Sequence, residues 1–158
     1  MIRVSRLADY AVVLTTKMAI LPNGSYATEH LSDLTGIPFS TTSKILTKLV
    51  HAKLVVSKRG IRGGYSLSRS AKDISVGHII SAIDGKVALT LCVENNDEKS
   101  STCNLIGLCP SQANWKKIND EIELTLNNIK LSEMADNTNK IFIDSNFVKS
   151  TSQVGVKQ

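Results

Sequence analysis

The stretch PFSTTSKILTKLVHAKLVVSKRGIRGGY, from Pro38 to Tyr65, constrains the fold more than any other part of this chain. It opens as a short helix. Ser40 stands at its start, where a hydroxyl can accept from an unpaired backbone N–H. Ile45, Leu46 and Leu49 recur at helical spacing toward a core. Two short apolar strands are expected next, around Leu54–Val56 and Tyr65–Leu67, joined by the basic, glycine-rich tip KRGIRGG. A helix followed by a two-stranded hairpin with a cationic tip is the plan of a winged helix-turn-helix. In that plan the second helix enters the major groove of DNA and the wing follows the phosphates.

Charge points the same way. From Leu34 to Lys72 there are eight basic residues, namely Lys44, Lys48, Lys53, Lys58, Arg59, Arg62, Arg69 and Lys72, and no Asp or Glu. The rest of the chain holds 11 basic and 14 acidic residues, so the net +5 divides into +8 here and −3 elsewhere. One cationic region on an otherwise acidic chain is the footprint of a phosphate-binding surface. A merely solvated basic face would not coincide with helix and hairpin in this way.

The flanking segments complete the unit. A first helix is expected from Ser5, with Leu7, Tyr10, Ala11, Leu14, Met18 and Leu21 at helical spacing. Val12 and Val13 form a second apolar face, so packing on two sides is expected. Pro22-Asn23-Gly24 ends it. A short second helix should start at Thr28 as N-cap, turn Leu31 and Leu34 inward, and stop at Gly36. After the hairpin, Ser75 is the expected cap of a fourth helix with Val76, Ile79, Ile80 and Ile83 on one face, closed by Asp84-Gly85. His51 and His78 receive no role. A long helix is expected from about Ala113 to Asn128. Its narrow stripe of Trp115, Ile118, Ile122, Leu126 and Ile129 reads as a seam with a second copy, the other possibility being packing within its own chain. Helix-turn-helix readers commonly bind as two-fold dimers on half-sites roughly 34 Å apart. Ser132–Ala135 adds a further turn, and the polar tail from Asp136 to Gln158 is expected to be disordered. The expected organisation is therefore mainly α: a winged helix-turn-helix over 1–85, a cysteine-bearing loop over 86–112, a dimerisation helix region over 113–135 and a tail over 136–158.

The three cysteines all fall between Cys92 and Cys109, spaced C-x10-C-x5-C. No signal-peptide core and no bilayer-length apolar run is present, so a cytoplasmic location with reduced thiols is expected. The loop ENNDEKSST is too polar for three unrelated buried thiols. Zinc would ordinarily show a closely spaced C-x2-4-C pair and a fourth ligand nearby. An iron–sulfur cluster accepts wider spacings, and a thiol switch needs only an exposed reactive Cys with a resolving partner. Spacing alone leaves these three open. No Ser-His-Asp set, phosphate loop or zinc-protease motif marks an enzyme. With one Trp, three Tyr and three Phe, a large aromatic pocket for a flat ligand is not expected, nor is a small-molecule substrate.

Several stretches resemble the Rrf-two family of bacterial transcription regulators: LADYAVV, GIPFSTTSKILTKL, RGIRGGYSL, ISVGHIISAIDG, the cysteine loop and LNNIKLSEMADN. The likeness runs from about Met1 to Asn137. LADYAVV together with CPSQANWKKIND is similar to the subgroup found beside iron–sulfur assembly (suf) operons. The resemblance implies a cytoplasmic homodimer on double-stranded operator DNA, carrying a [2Fe–2S] cluster that reports iron–sulfur or redox status. It implies base and phosphate contacts from Ser40, Thr41, Ser43 and Lys44, with Lys48 on the same helix, and wing contacts from Arg59 and Arg62. Cys92, Cys103 and Cys109 become the implied thiolate ligands. This chain departs from the family's iron–sulfur members in a longer first cysteine gap and in Gln112, where they carry His. A [2Fe–2S] centre takes two protein ligands per iron, so three cysteines leave one position open. Asp9 of the partner subunit is the expected fourth ligand, because it shares a helix face with Val12 and Val13, and an acid on an apolar face calls for a partner. The alternatives are Gln112 as ligand and Asp9 as a helix-start residue facing solvent. A regulator with no cluster, working as a thiol switch, and an assembly accessory protein using its basic face on a protein partner are the competing functions.

Overall fold

The structure is a computed structural model, and it describes residues 3–60, 63–90, 93 and 109–138. Helix α1 (Arg6–Ile20) starts at Ser5, whose Oγ accepts from the Ala8 N–H at 3.1 Å. The same hydroxyl donates to Asp84 Oδ1 at 2.6 Å, which ties the start of α1 to the far end of α4 (Val76–Asp84). Ala8, Ala11, Leu14 and Met18 fill the core along one face of α1, while Leu7 and Tyr10 sit at its border. Among the described residues the second apolar face is covered only in part: Val12 is half-buried against the core and Val13 is 44% exposed.

Helix α2 (Thr28–Thr35) differs from expectation at both ends of its apolar pattern. Its N-cap is Ala27, without a side-chain bond, and Thr28 is its first residue. Leu31 is fully buried, but Leu34 is 38% exposed, because α2 is short and only one residue per turn meets the core. Gly36 closes it in the left-handed conformation (φ 70), as a helix C-terminus favours. Helix α3 (Phe39–His51) is capped by Pro38 and not by Ser40. Pro38 holds an extended conformation, and its carbonyl accepts from the N–H groups of Thr41 and Thr42, both at 2.9 Å. Thr42, Ile45, Leu46 and Leu49 are buried. The turn out of α3 places Lys53 at φ 58.

Strands β1 (Val55–Lys58) and β2 (Gly64–Leu67) pair antiparallel with Val55 opposite Leu67 and Lys58 opposite Gly64. The strands therefore run further toward the tip than apolarity alone indicated. Tyr26 adds a bridge on the other edge of β2 that periodicity did not reveal: its N–H and C=O exchange bonds with Tyr65, both at 2.9 Å. This fastens the wing to the loop between α1 and α2. A 3-10 turn at Ala71–Asp73 leads into α4, whose Val76, Ile79, Ile80 and Ile83 are buried as the one-faced pattern requires. Ser75 caps α4, and a capping box forms with His78: the His78 N–H donates to Ser75 Oγ, and the Ser75 N–H donates to His78 Nδ1, each at 3.1 Å.

Helix α5 (Gln112–Asn128) leaves the domain after the cysteine loop. The chain then returns as an extended pair, with the Val76 N–H on the Ile129 carbonyl and the Leu131 N–H on the Ile74 carbonyl. A last helix, α6, covers residues 131–138 and inserts Leu131 and Ala135 into the core. Residues 136–138, expected to belong to a disordered tail, are helical, and residues 139–158 lie outside the described residues. No described helix is long and apolar enough to cross a membrane.

Candidate nucleic-acid interface and cysteine loop

The outer face of α3 follows from its buried one. Thr42, Ile45, Leu46 and Leu49 face the core, so the opposite side presents Ser40, Lys44, Thr47 and His51, all exposed, with Thr41 and Ser43 half-buried at the margins. Thr47 donates back to the Ser43 carbonyl at 2.9 Å, a bond inside the helix that keeps its hydroxyl close to the surface. On the wing, Lys58 and Arg59 are exposed, and Arg62 lies outside the described residues. Lys53, Arg69 and Lys72 add exposed charge around this unit.

Lys48 departs from the expected set. Its ammonium donates to the Ile83 carbonyl at 2.7 Å, so it caps the C-terminal end of α4 from within the domain. A cation there satisfies an orphan carbonyl and favours the negative end of the helix dipole. Lys48 thus joins α3 to α4 and does not extend outward beside Lys44. Phe39, at the first position of α3, was passed over by reasoning from charge and hydrogen-bonding groups, yet it is 57% exposed. The available signal was its place at the helix start, next to Ser40.

Of the cysteine loop, residues 86–90, 93 and 109–112 are described. Cys109 is a free, half-buried thiol, and its carbonyl accepts from the Gln112 N–H at 3.3 Å at the entry to α5. Cys92 and Cys103 lie outside the described residues, and among the described residues no three His, Cys, Asp or Glu side chains converge on a metal position. Asp9 is exposed on the first turn of α1. It borders a groove of about 670 Å³ whose walls include Val12, Val13, Leu34 and Met134. Thr16, also in the wall, keeps its Oγ1 buried without a hydrogen-bond partner. Asp9 is therefore a solvent-reached carboxylate at the rim of an apolar groove walled by α1, α2 and α6, in which Val13 and Leu34 remain exposed among the described residues.

Helix α5 carries its expected stripe outward. Trp115 is 40% and Ile118 46% exposed, Ile122 and Leu126 are half-buried, and Asn119 alone is buried, accepting from the Leu89 N–H at 3.2 Å. Leu124 is also exposed, on a different face from Ile118 and Ile122.

Comparison with known proteins agrees with this architecture. A family profile for Rrf2, described as an iron-dependent transcriptional regulator, matches residues 4–137. A protein of Pectobacterium carotovorum subsp. carotovorum described as the HTH-type transcriptional regulator IscR is 32% identical over 136 residues, covering 85% of this chain and 80% of its own length. Among solved structures, CymR of B. subtilis, described as the global cysteine regulator, aligns with a TM-score of 0.64 at 20% identity over 87% of this chain and 98% of its own. IscR of T. potens aligns with a TM-score of 0.62 at 23% identity over 99% of this chain and 93% of its own. These relatives are transcription regulators and not enzymes. The winged helix, the acid-free basic unit and the match across most of the chain lead to one assignment: this protein belongs to the Rrf2 family of DNA-binding transcription regulators.

Proposed function

We propose that this chain is a homodimeric repressor or activator that reads an operator with α3 and its wing, and that Cys92, Cys103 and Cys109 hold a [2Fe–2S] cluster whose state governs that reading. The observation that carries the DNA half is the outward face of α3, where Ser40, Thr41, Ser43 and Lys44 stand with Arg59 of the wing inside a stretch that has no carboxylate. Arg62 belongs to the same tip by sequence. Lys48 is left out of the contact set, since its ammonium is engaged on α4.

The donor set fits a cluster chemically. Three thiols within one short loop supply the soft ligands that iron–sulfur centres require. The described members of the set are both reachable: the Cys109 thiol is partly exposed and Asp9 is exposed. Asp9 of the partner subunit would supply the fourth ligand. A carboxylate is a harder donor than a thiolate and makes an easily altered site, which suits a sensor. When bound, the cluster would supply a redox- and oxidant-sensitive charge next to the dimer helices. Control of iron–sulfur assembly genes in the cytoplasm is the corresponding role.

A second reading has its own observation. A half-exposed free thiol at Cys109 also suits a cluster-free thiol switch. Protein purified without oxygen separates the two by its visible absorption. Iron–sulfur charge-transfer bands are expected, and a protein that stays colourless after cluster reconstitution sinks the cluster reading in favour of the switch. The DNA half is tested apart from this by binding to operator fragments across a salt series. A steep loss of affinity with salt is expected, and salt-independent binding to a protein partner would instead support an accessory role in cluster assembly.

A further inference from the structure

The start of α3 carries a large apolar side chain that the fold does not use. Phe39 is the most exposed large hydrophobic residue among those described, and it does not pack against the core. It is nevertheless held on firm backbone. The Pro38 carbonyl takes the Thr41 and Thr42 N–H groups. The Ile37 carbonyl accepts from the Thr42 hydroxyl at 3.2 Å and from the Ser32 hydroxyl at 2.7 Å. These bonds fix the turn between α2 and α3, so the aromatic ring is presented from a set position.

Its surroundings narrow what it can meet. Helical spacing puts Phe39 on one face with Ser43 and with the buried Thr42 and Leu46, but at 57% exposed it lies outside the core at the first turn, beside the row of Ser40 and Lys44. No other large apolar residue of α3 is exposed. A protein-docking hot spot is ordinarily a cluster of such residues, whereas a single aromatic among hydroxyls and a lysine matches the mixed edge of a base pair. Of the groups on the major-groove edge, the thymine C5-methyl is the apolar one, and Phe is among the side chains that contact it. The first residues of a reading helix are those that approach base edges.

We propose that Phe39 selects thymine in the operator by packing its ring on the C5-methyl group. This rests on the DNA-reading role of α3 set out above. Ser40, Ser43 and Lys44 can bond to polar base edges or phosphate but bring no methyl-seeking surface, and Thr41 is half-buried and offers a single methyl, so Phe39 is the large apolar group of the set.

The test starts from duplexes selected out of a random pool by the full chain. Each thymine of one half-site is then replaced singly by deoxyuridine, which removes only the methyl group, and affinity is read by fluorescence anisotropy at constant salt. Wild-type protein should lose roughly three- to fivefold in affinity at one position, the scale of one buried methyl. Phe39→Ala should bind the thymine duplex more weakly by a similar factor and be indifferent to uracil there, while Phe39→Leu should stay sensitive. A wild-type protein indifferent to every replacement overturns the inference, and so does a Phe39→Ala protein that remains as sensitive as wild type. The wild-type arm stands even if a variant folds poorly. Failure to enrich any sequence is a different result, since it removes the DNA-reading role of α3 and the thymine contact with it.

Discussion

His78 shows how one side chain can serve folding while resembling a functional residue. Its Nδ1 accepts from the Ser75 N–H, which requires that nitrogen to be unprotonated. Partial desolvation, and then the charges of Arg69 and Lys130, hold its pKa below the ordinary 6.5. The folded value is the lower one, so between the two values the unfolded chain binds more protons. The cap is at full strength above about pH 6.5 and is lost as pH falls through the folded value. Urea melts between pH 7.5 and pH 5 should therefore show wild type losing stability relative to His78→Gln, which keeps an acceptor without titrating. Parallel pH profiles for the two proteins would remove this role. Lys44 and Arg59 belong to the same scale, and the proposed interface gives them a role on DNA instead. Both are exposed, so alanine at either site should leave the melt unchanged. If Arg59 meets only phosphate, Arg59→Ala lowers the salt slope by about one unit on all sequences alike. A base contact from Lys44 would cost ~1–3 kcal/mol at one operator position when lost. Operator affinity unchanged in both variants would contradict the proposed interface.

At the scale of the element, α5 is held at its C-terminal turn and at Asn119, and its Trp115–Ile118 edge stays exposed. Its C-terminal turn meets α4 at Gly77, where a Cβ would lie 2.3 Å from Asn127 Oδ1, and the Ser75 hydroxyl donates to that same oxygen at 3.1 Å. Only hydrogen at position 77 allows this approach. Further out, Trp115 and Ile118 leave their apolar surface to water, an expensive arrangement unless a second copy covers it. Ile122 is half-buried midway along the stripe. Ile122→Asp would place a charge in that seam, where burial without a partner costs several kcal/mol. Sedimentation should then report monomers, and tight operator binding should fall with the dimer. A variant that stays dimeric with normal affinity would show that the stripe is not the seam. The connection after α5 has the opposite character: Leu131 is fully buried and its N–H is bonded to Ile74, so α6 anchors the long helix to the winged domain.

At the scale of the whole molecule, the open face of α1 and the end of the cysteine loop bear on the same question. Asp9 sits at the rim of an apolar groove that is open among the described residues, and Cys109 stands at the base of α5. If Asp9 completes a cluster held by the other subunit, Asp9→Ala reconstituted without oxygen should shift the visible spectrum or lose iron, while Gln112→Ala should do neither. The reverse outcome would make Gln112 the ligand and return Asp9 to an ordinary place near the positive end of a helix. The comparison needs the full dimer, because the expected ligand set spans two chains.

Periodicity and capping chemistry were enough to locate α1, α3, α4 and α5, because each carries an apolar face at a spacing that only a helix can bury. Gly36 and Ser75 mark termini by the same local logic. The charge boundary between Leu34 and Lys72 likewise depends on residue identity alone, and so does the clustering of the cysteines. Long-range partners are not written in local pattern. That Pro38 and not Ser40 caps α3 depends on how the Ile37 carbonyl is held by Ser32 and Thr42. That Lys48 turns to Ile83 depends on α4 ending within reach of its ammonium. The Tyr26–Tyr65 bridge, the exposure of Leu34 and the bond between Ser5 and Asp84 each join residues far apart in the chain or record which side a short helix shows its neighbours. Only the packed chain decides those, because a side chain's partner is whatever the fold brings within a few ångströms of it.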